Sequence, residues 1–130
     1  MKDIKGIKYI VLNTKKNKTL LITRDIIDIH RFDHLTERWE TSEIRGYLNS
    51  KEFRKQLPEK IIKDKRGDKV SLLSAEQYQK YKGFLSGHRL IYGWWWLRAD
   101  NVGSAYAVRA KGFDVDVNYG GVRPTMWVEM

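Results

Sequence analysis

Three consecutive indoles, in Gly93-Trp94-Trp95-Trp96-Leu97-Arg98, restrict the folding of this chain more than any other stretch. On a strand, side chains alternate faces, so Trp94 and Trp96 point one way and Trp95 the other. Either both faces of the strand are covered, or one presents aromatic surface to a partner. A second segment, Val122-Arg123-Pro124-Thr125-Met126-Trp127-Val128, holds another indole, so four of the five tryptophans lie in these two pieces. Each indole buries about 150–250 Å² when packed. The expectation is that the two segments pair as a spine, with Trp94, Trp95, Trp96, Arg98, Arg123 and Trp127 as scaffold. Arg98 and Arg123 then need carboxylate or carbonyl partners, and Glu40 is the expected one.

The order of elements around this spine is strands, helices, then strands, which reads as α+β in a single domain over 1–130. Ile4 to Asn13 and Thr19 to Arg24 read as a hairpin joined by a polar turn. Residues 25–38 fit no single period and read as strand end plus loop. Thr41 or Ser42 opens a helix with an Ile44, Tyr47, Leu48 stripe. Ser50 caps a second helix, 51–57, which Pro58 ends. A basic loop over 60–69 leads into a strand, Val70 to Leu73. Ser74 and Gln77 form a capping box for a helix that runs to about Tyr81, before Gly83. After the Trp strand, a hairpin has arms at 104–109 and 113–118, turned at Ala110-Lys111-Gly112.

Charge is uneven. The chain carries +9, and residues 1–90 hold 21 Lys/Arg against 12 Asp/Glu, whereas residues 91–130 hold four against four. The basic field therefore belongs to the first two-thirds. It reads as a solvated surface, or as a patch around Lys55, Lys63, Lys65 and Arg66 able to neutralise phosphates. No aromatics interleave with these cations in the sequence, so no stacking platform is evident. Cysteine is absent, as expected in a reducing cytosol. Met1 to Gly6 contains no apolar signal-peptide core, and no run is long enough to span a bilayer.

Candidate chemistry is sparse. His30, Asp33 and His34 fall within five residues and would share one face of a helix, the arrangement of a zinc site. The segment lacks a helical pattern, so the expectation is no cofactor, with zinc as the alternative. Asp114-x-Asp116-x-Asn118 begins like an EF-hand loop, but Tyr119 stands at position six and Thr125 at position twelve, where Gly and Glu are needed. There is no Gly-x-Ser-x-Gly elbow and no His-Glu-x-x-His, so no enzyme is expected.

Four ordered blocks carry a resemblance: Trp39-Glu40-Thr41-Ser42 with Arg45 and Leu48-Asn49; Val70-Ser71-Leu72-Leu73-Ser74; Trp94-Trp95-Trp96-Leu97-Arg98; and Val122-Arg123-Pro124-Thr125-Met126-Trp127. Over residues 4–130 the chain resembles an uncharacterised bacterial and phage domain. That domain is similar to the C-type-lectin-like fold of formylglycine-generating-enzyme-like and retroelement variable proteins. It usually continues the Trp block with Ser-Pro-Gly, where this chain has Ala99-Asp100-Asn101. The resemblance implies a rigid scaffold presenting loops to a partner, and it implies no chemistry. The formylglycine-generating relatives act through cysteines, which this chain lacks.

The expected function is therefore a non-catalytic binding module with a protein partner, from phage or another mobile element, acting in the cytoplasm of a bacterial host. Its contact face would be Asp100, Asn101, Tyr106, Asp114, Asp116, Asn118 and Tyr119, polar and aromatic groups flanking the Trp strand. One concrete form is an anti-CRISPR-like inhibitor docking on a defence nuclease. The alternatives are a nucleic-acid-binding accessory protein that uses the basic patch, and a zinc-stabilised binding protein.

Overall fold

The computed structural model describes residues 2–31, 39–85, 94–98, 106–109 and 120–129, with backbone alone at 94, 106–109 and 120. The chain starts with a hairpin of β1 (Lys2–Ile4) and β2 (Ile7–Lys15), which splits the first predicted strand. Its two-residue turn places Lys5 at φ 53° and Gly6 at φ 84°. Positive φ at both central residues matches the right-handed twist of the flanking strands, and Gly6 adopts it without a Cβ penalty. β3 (Lys18–Thr23) then pairs with β2, from Tyr9↔Thr23 to Lys15↔Lys18, so the predicted polar turn contracts to two residues.

The last segment of the chain departs from the expected pairing. It divides at Arg123-Pro124 into β8 (Gly120–Val122) and β9 (Thr125–Glu129). Only β8 meets the Trp strand β6 (Trp94–Leu97), in a parallel bridge at Trp95↔Gly121. β9 instead lies antiparallel to β3, with Leu20 opposite Trp127. Proline lacks an N–H and cannot extend a ladder through this position. Two sheets result. The first has the order β1-β2-β3-β9-β5, with β5 at Ile61–Ile62; the second has the order β4-β8-β6-β7, with β4 at Asp28–His30 and β7 at Tyr106–Arg109.

Helices cover both faces. α1 (Glu43–Leu48) is capped by Ser42, whose side chain accepts from the Arg45 amide at 3.2 Å. α2 (Lys51–Arg54) is capped by Ser50 and stops a turn earlier than predicted, although Phe53 and Leu57 both reach the core. α3 (Ala75–Leu85) passes through Gly83, where the sequence predicts a break. Its capping box is complete: Gln77 Oε1 accepts from the Ser74 amide at 2.9 Å, and Ser74 Oγ accepts from the Gln77 amide at 3.1 Å. The predicted strand Val70 to Leu73 reduces to one bridge, Ser71↔Thr125. Arg98 holds the Leu72 and Leu73 carbonyls, and Asn49 takes over the pairing at the start of the segment. Its Oδ1 accepts from the Lys69 and Val70 amides at 3.0 Å each, and its Nδ2 donates to the Val70 carbonyl at 2.8 Å.

Alternation across the strands separates two cores. Tyr9, Leu21 and Met126 pack with Trp39, Ile44, Leu48, Phe53 and Trp96 on the α1–α2 side. Ile10, Leu20 and Ile22 pack with Tyr81, Leu85, Trp95 and Leu97 on the α3 side. Trp95 and Trp96 thus enter opposite cores, each 1% exposed. Both faces of this strand are covered at these two positions. At about 25 cal/mol per Å², each buried indole contributes roughly 4–6 kcal/mol of gross stabilisation.

Candidate nucleic-acid interface

The apolar face that receives α3 is longer than the helix. Beyond it, Asn13, Lys15, Lys18 and Trp127 continue the same face of the first sheet and form the floor of a groove of about 490 Å³. One wall is the chain from Ile62 to Lys69, and the other is Gln77, Lys80 and Tyr81 of α3. Ser71, Leu72 and Arg98 close the back. Among the described residues, eight cations line this groove against one carboxylate, Asp64.

The asymmetry comes from how the 64–69 loop folds. Asp64 Oδ1 accepts from the amides of Arg66 at 2.8 Å and Asp68 at 3.0 Å, an Asx turn that satisfies the carboxylate locally. Gly67, at φ 85°, completes the reversal, and its amide donates to the Asp64 carbonyl. Asp68 points inward. Its side chain, 5% exposed, accepts from Trp39 Nε1 at 2.9 Å and from Arg45 Nε at 2.8 Å. The loop's acids are therefore consumed by the scaffold, while Lys63, Lys65, Arg66 and Lys69 face the groove. No described carboxylate lies within ion-pair distance of Lys15, Lys18, Lys63, Lys65, Lys69 or Lys80.

Aromatic groups sit among these cations. The ammonium groups of Lys18 and Lys15 lie 4.5 and 5.3 Å from the Trp127 ring centre. Trp127 is partly exposed, and its inner side packs on the α3-side core. The Tyr81 hydroxyl accepts from Asn13 Nδ2 at 3.0 Å, and Lys80 lies over the Tyr81 ring at 5.2 Å. The sequence shows no interleaving because Trp127, Lys15, Lys63 and Lys80 come from four separate segments. The short-range cue that was available is Lys15 opposite Lys18 across a hairpin turn, on a face shared with the strand paired to it.

Of the predicted basic patch, Lys63, Lys65 and Arg66 line the groove and Lys55 does not. Lys55 pairs with Glu52 at 3.1 Å, and its carbonyl accepts from Lys5. Lys69, from the same basic loop, joins Lys63, Lys65 and Arg66, and Lys15, Lys18, Lys80 and Arg98 join the groove without having been expected there. Arg98 is 4% exposed; its Nε donates to the Leu72 carbonyl at 3.3 Å, and a terminal nitrogen donates to Gln77 Oε1 at 3.1 Å.

Arg123, 2% exposed, donates to the carbonyls of Thr23 at 3.1 Å and Arg24 at 3.0 Å and stacks 4.5 Å over Trp95. Burial lowers its pKa to about 10. Both arginines bond to backbone carbonyls, so Glu40 is not their partner; its side chain is exposed, and its carbonyl accepts from Arg45 at 2.8 Å. A guanidinium held by carbonyls needs no buried counter-charge to satisfy its donors.

His30 lies on the short strand β4, not on a helix, and its ring stacks on Tyr47 at 4.3 Å. Tyr47 donates a short hydrogen bond to Asp28, which is the main reason its pKa is raised to about 12. Asp33 and His34 lie outside the described residues, among which no group of three His, Cys, Asp or Glu is placed to hold a metal ion. Asp100, Asn101, Asp114, Asp116, Asn118 and Tyr119 also lie outside the described residues, and Tyr106 contributes only the backbone of β7. No described helix is long and apolar enough to cross a membrane. Comparison with protein-family models, with characterised proteins and with solved structures finds no match to this chain.

Proposed function

We propose that this chain is a non-catalytic binding module that holds nucleic acid in the groove between α3 and the 62–69 segment. The observation that carries the proposal is the segregation of charge: among the described residues, eight cations and one internally satisfied carboxylate line the groove, with an indole and a phenol ring among them. Such a surface attracts a polyanion and releases its counterions on binding. Pairing with the scaffold's own carboxylates would have quenched it.

The C-type-lectin-like fold is part of the same reading. Three of the four blocks behind that resemblance meet through the hydrogen bonds above, Asn49 to Val70 and Arg98 to Leu72, while Trp39 and Arg45 bond to Asp68 beside them. In the fourth, Arg123 is tied to β3. These blocks then hold the scaffold, and the lysines that line the groove lie outside them, with Trp127 the block residue partly exposed on its floor. The protein-docking face expected from the sequence rests on residues 100–119, whereas the groove rests on described side chains. The two combine in an anti-CRISPR-like module that docks on a nucleic-acid-handling machine in a bacterial cytoplasm and touches its bound strand.

The test is fluorescence anisotropy with a labelled oligonucleotide from 50 to 200 mM salt, on the native chain and on Lys63→Glu/Lys65→Glu/Lys69→Glu. Six lysines that each neutralise one phosphate of a single strand give a log–log slope of roughly −4. A flat salt response, or a charge-reversed chain that binds like the native one, overturns the proposal.

A further inference from the structure

We infer that the groove takes single-stranded rather than duplex nucleic acid, with a base stacked on Trp127 and the flanking phosphates on Lys15 and Lys18. The inference rests on the nucleic-acid reading of the groove and specifies the form of its ligand.

Three observations support it. Trp127 stands opposite Leu20 on one neighbouring strand and Ile62 on the other, so its ring is fixed on the sheet face that forms the groove floor. Its inner side packs against the α3-side core while part of the ring stays exposed; Trp39, Trp95 and Trp96 are each 1% exposed. Finally, two ammonium groups lie within 5.3 Å of the same ring, on mobile four-carbon stems. In the free protein they lie over the indole as cation–π partners. When a base arrives, they can move aside to the phosphates on either side of it without leaving the neighbourhood.

A duplex cannot use this arrangement. Its bases are stacked on each other, and it offers only groove edges and a phosphate surface. An indole recessed on a concave floor meets neither. A single strand has free base faces, and stacking one on an aromatic ring tolerates any sequence.

The experiment measures anisotropy of a labelled 12-nucleotide oligothymidine strand and of a duplex of equal length at one salt concentration, together with intrinsic tryptophan emission. The strand is expected to bind more tightly and to quench emission. Trp127→Phe should keep affinity within a few-fold and lose most of the quench. Trp127→Ala should weaken strand binding roughly 5- to 150-fold, the range for removing one stacked base. Unchanged melting curves of both variants exclude a folding defect, and Trp127→Phe alone suffices if the alanine variant unfolds. Duplex binding as tight as strand binding, or an undiminished quench in Trp127→Phe, overturns the inference and leaves the groove a nucleic-acid site. Binding of neither ligand at low salt overturns the underlying reading as well.

Discussion

Asp68→Ala is the substitution that most directly probes how the groove is built. The carboxylate is 5% exposed and holds two donors from the α1 side, Trp39 Nε1 at 2.9 Å and Arg45 Nε at 2.8 Å. Removing it leaves a buried indole N–H with no acceptor, a loss of about 1–3 kcal/mol. It also removes a charge-assisted bond to Arg45, worth about 1.5–3 kcal/mol when both groups are dry. Arg45 is one-third exposed and also donates to the Glu40 carbonyl, so water and that carbonyl recover much of the second amount. The expected net loss is about 2–4 kcal/mol. Trp39→Phe leaves Asp68 paired with Arg45, so it should cost about 1–2 kcal/mol, and the two substitutions together should cost less than their sum. Urea unfolding followed by tryptophan emission measures all three, provided the m-value is constant. An Asp68→Ala loss below about 1 kcal/mol, or full additivity with Trp39→Phe, refutes the bonding pattern. It would equally refute the idea that the scaffold absorbs the loop's acids.

Other outcomes follow from the same geometry. The Tyr9 hydroxyl is buried without a hydrogen-bond partner among the described residues, so Tyr9→Phe should stabilise the fold by about 1 kcal/mol at pH 7 in urea unfolding. Burial also raises the Tyr9 pKa from 10.0 to about 12, and Tyr47 rises equally through its bond to Asp28. Between pH 10 and 12 the unfolded chain loses these phenol protons while the folded chain keeps them, so stability should fall across that window, and less steeply in Tyr9→Phe. Arg123 works the other way. Its lowered pKa makes the unfolded chain the tighter proton binder above about pH 10, which offsets part of the fall. Lys55→Glu, off the groove, should weaken oligonucleotide binding less than Lys63→Glu in parallel anisotropy titrations.

The sequence showed the elements better than their assembly. Periodicity and capping residues located the early hairpin, the helices after Ser42 and Ser50, and the capping box at Ser74, because those signals are local. The separation of Trp95 from Trp96 was legible as alternation, but not that both faces would be covered, since this depends on α1 and α3 arriving from elsewhere. The division at Pro124 was readable in principle. Proline forbids a continuous ladder, yet the apolar run on either side of it looks like one strand. The groove was the least legible feature. Lys63, Lys65 and Arg66 stood out as a run, but the loop's acids cancel them on paper. Only the fold shows Asp64 turned onto its own backbone amides and Asp68 turned into the core.

That inward turn joins stability to binding. A basic groove concentrates like charges, which repel, and each unpaired lysine on it opposes folding a little. The chain confines the repulsion to side chains that keep water, and anchors the wall that carries them at buried points. Trp39 and Arg45 hold Asp68, and Asn49 holds the Lys69 and Val70 backbone. The Ser71 amide and carbonyl are held by Thr125 on β9, two residues from Trp127. The floor and the wall of the groove therefore share one rigid connection. An anion bridging them meets a surface already set in place, and binding it removes repulsion instead of ordering a loop. Saturating oligonucleotide should then raise the melting temperature of the native chain. It should raise that of Lys63→Glu/Lys65→Glu/Lys69→Glu very little, because RT ln(1 + [L]/Kd) vanishes with affinity.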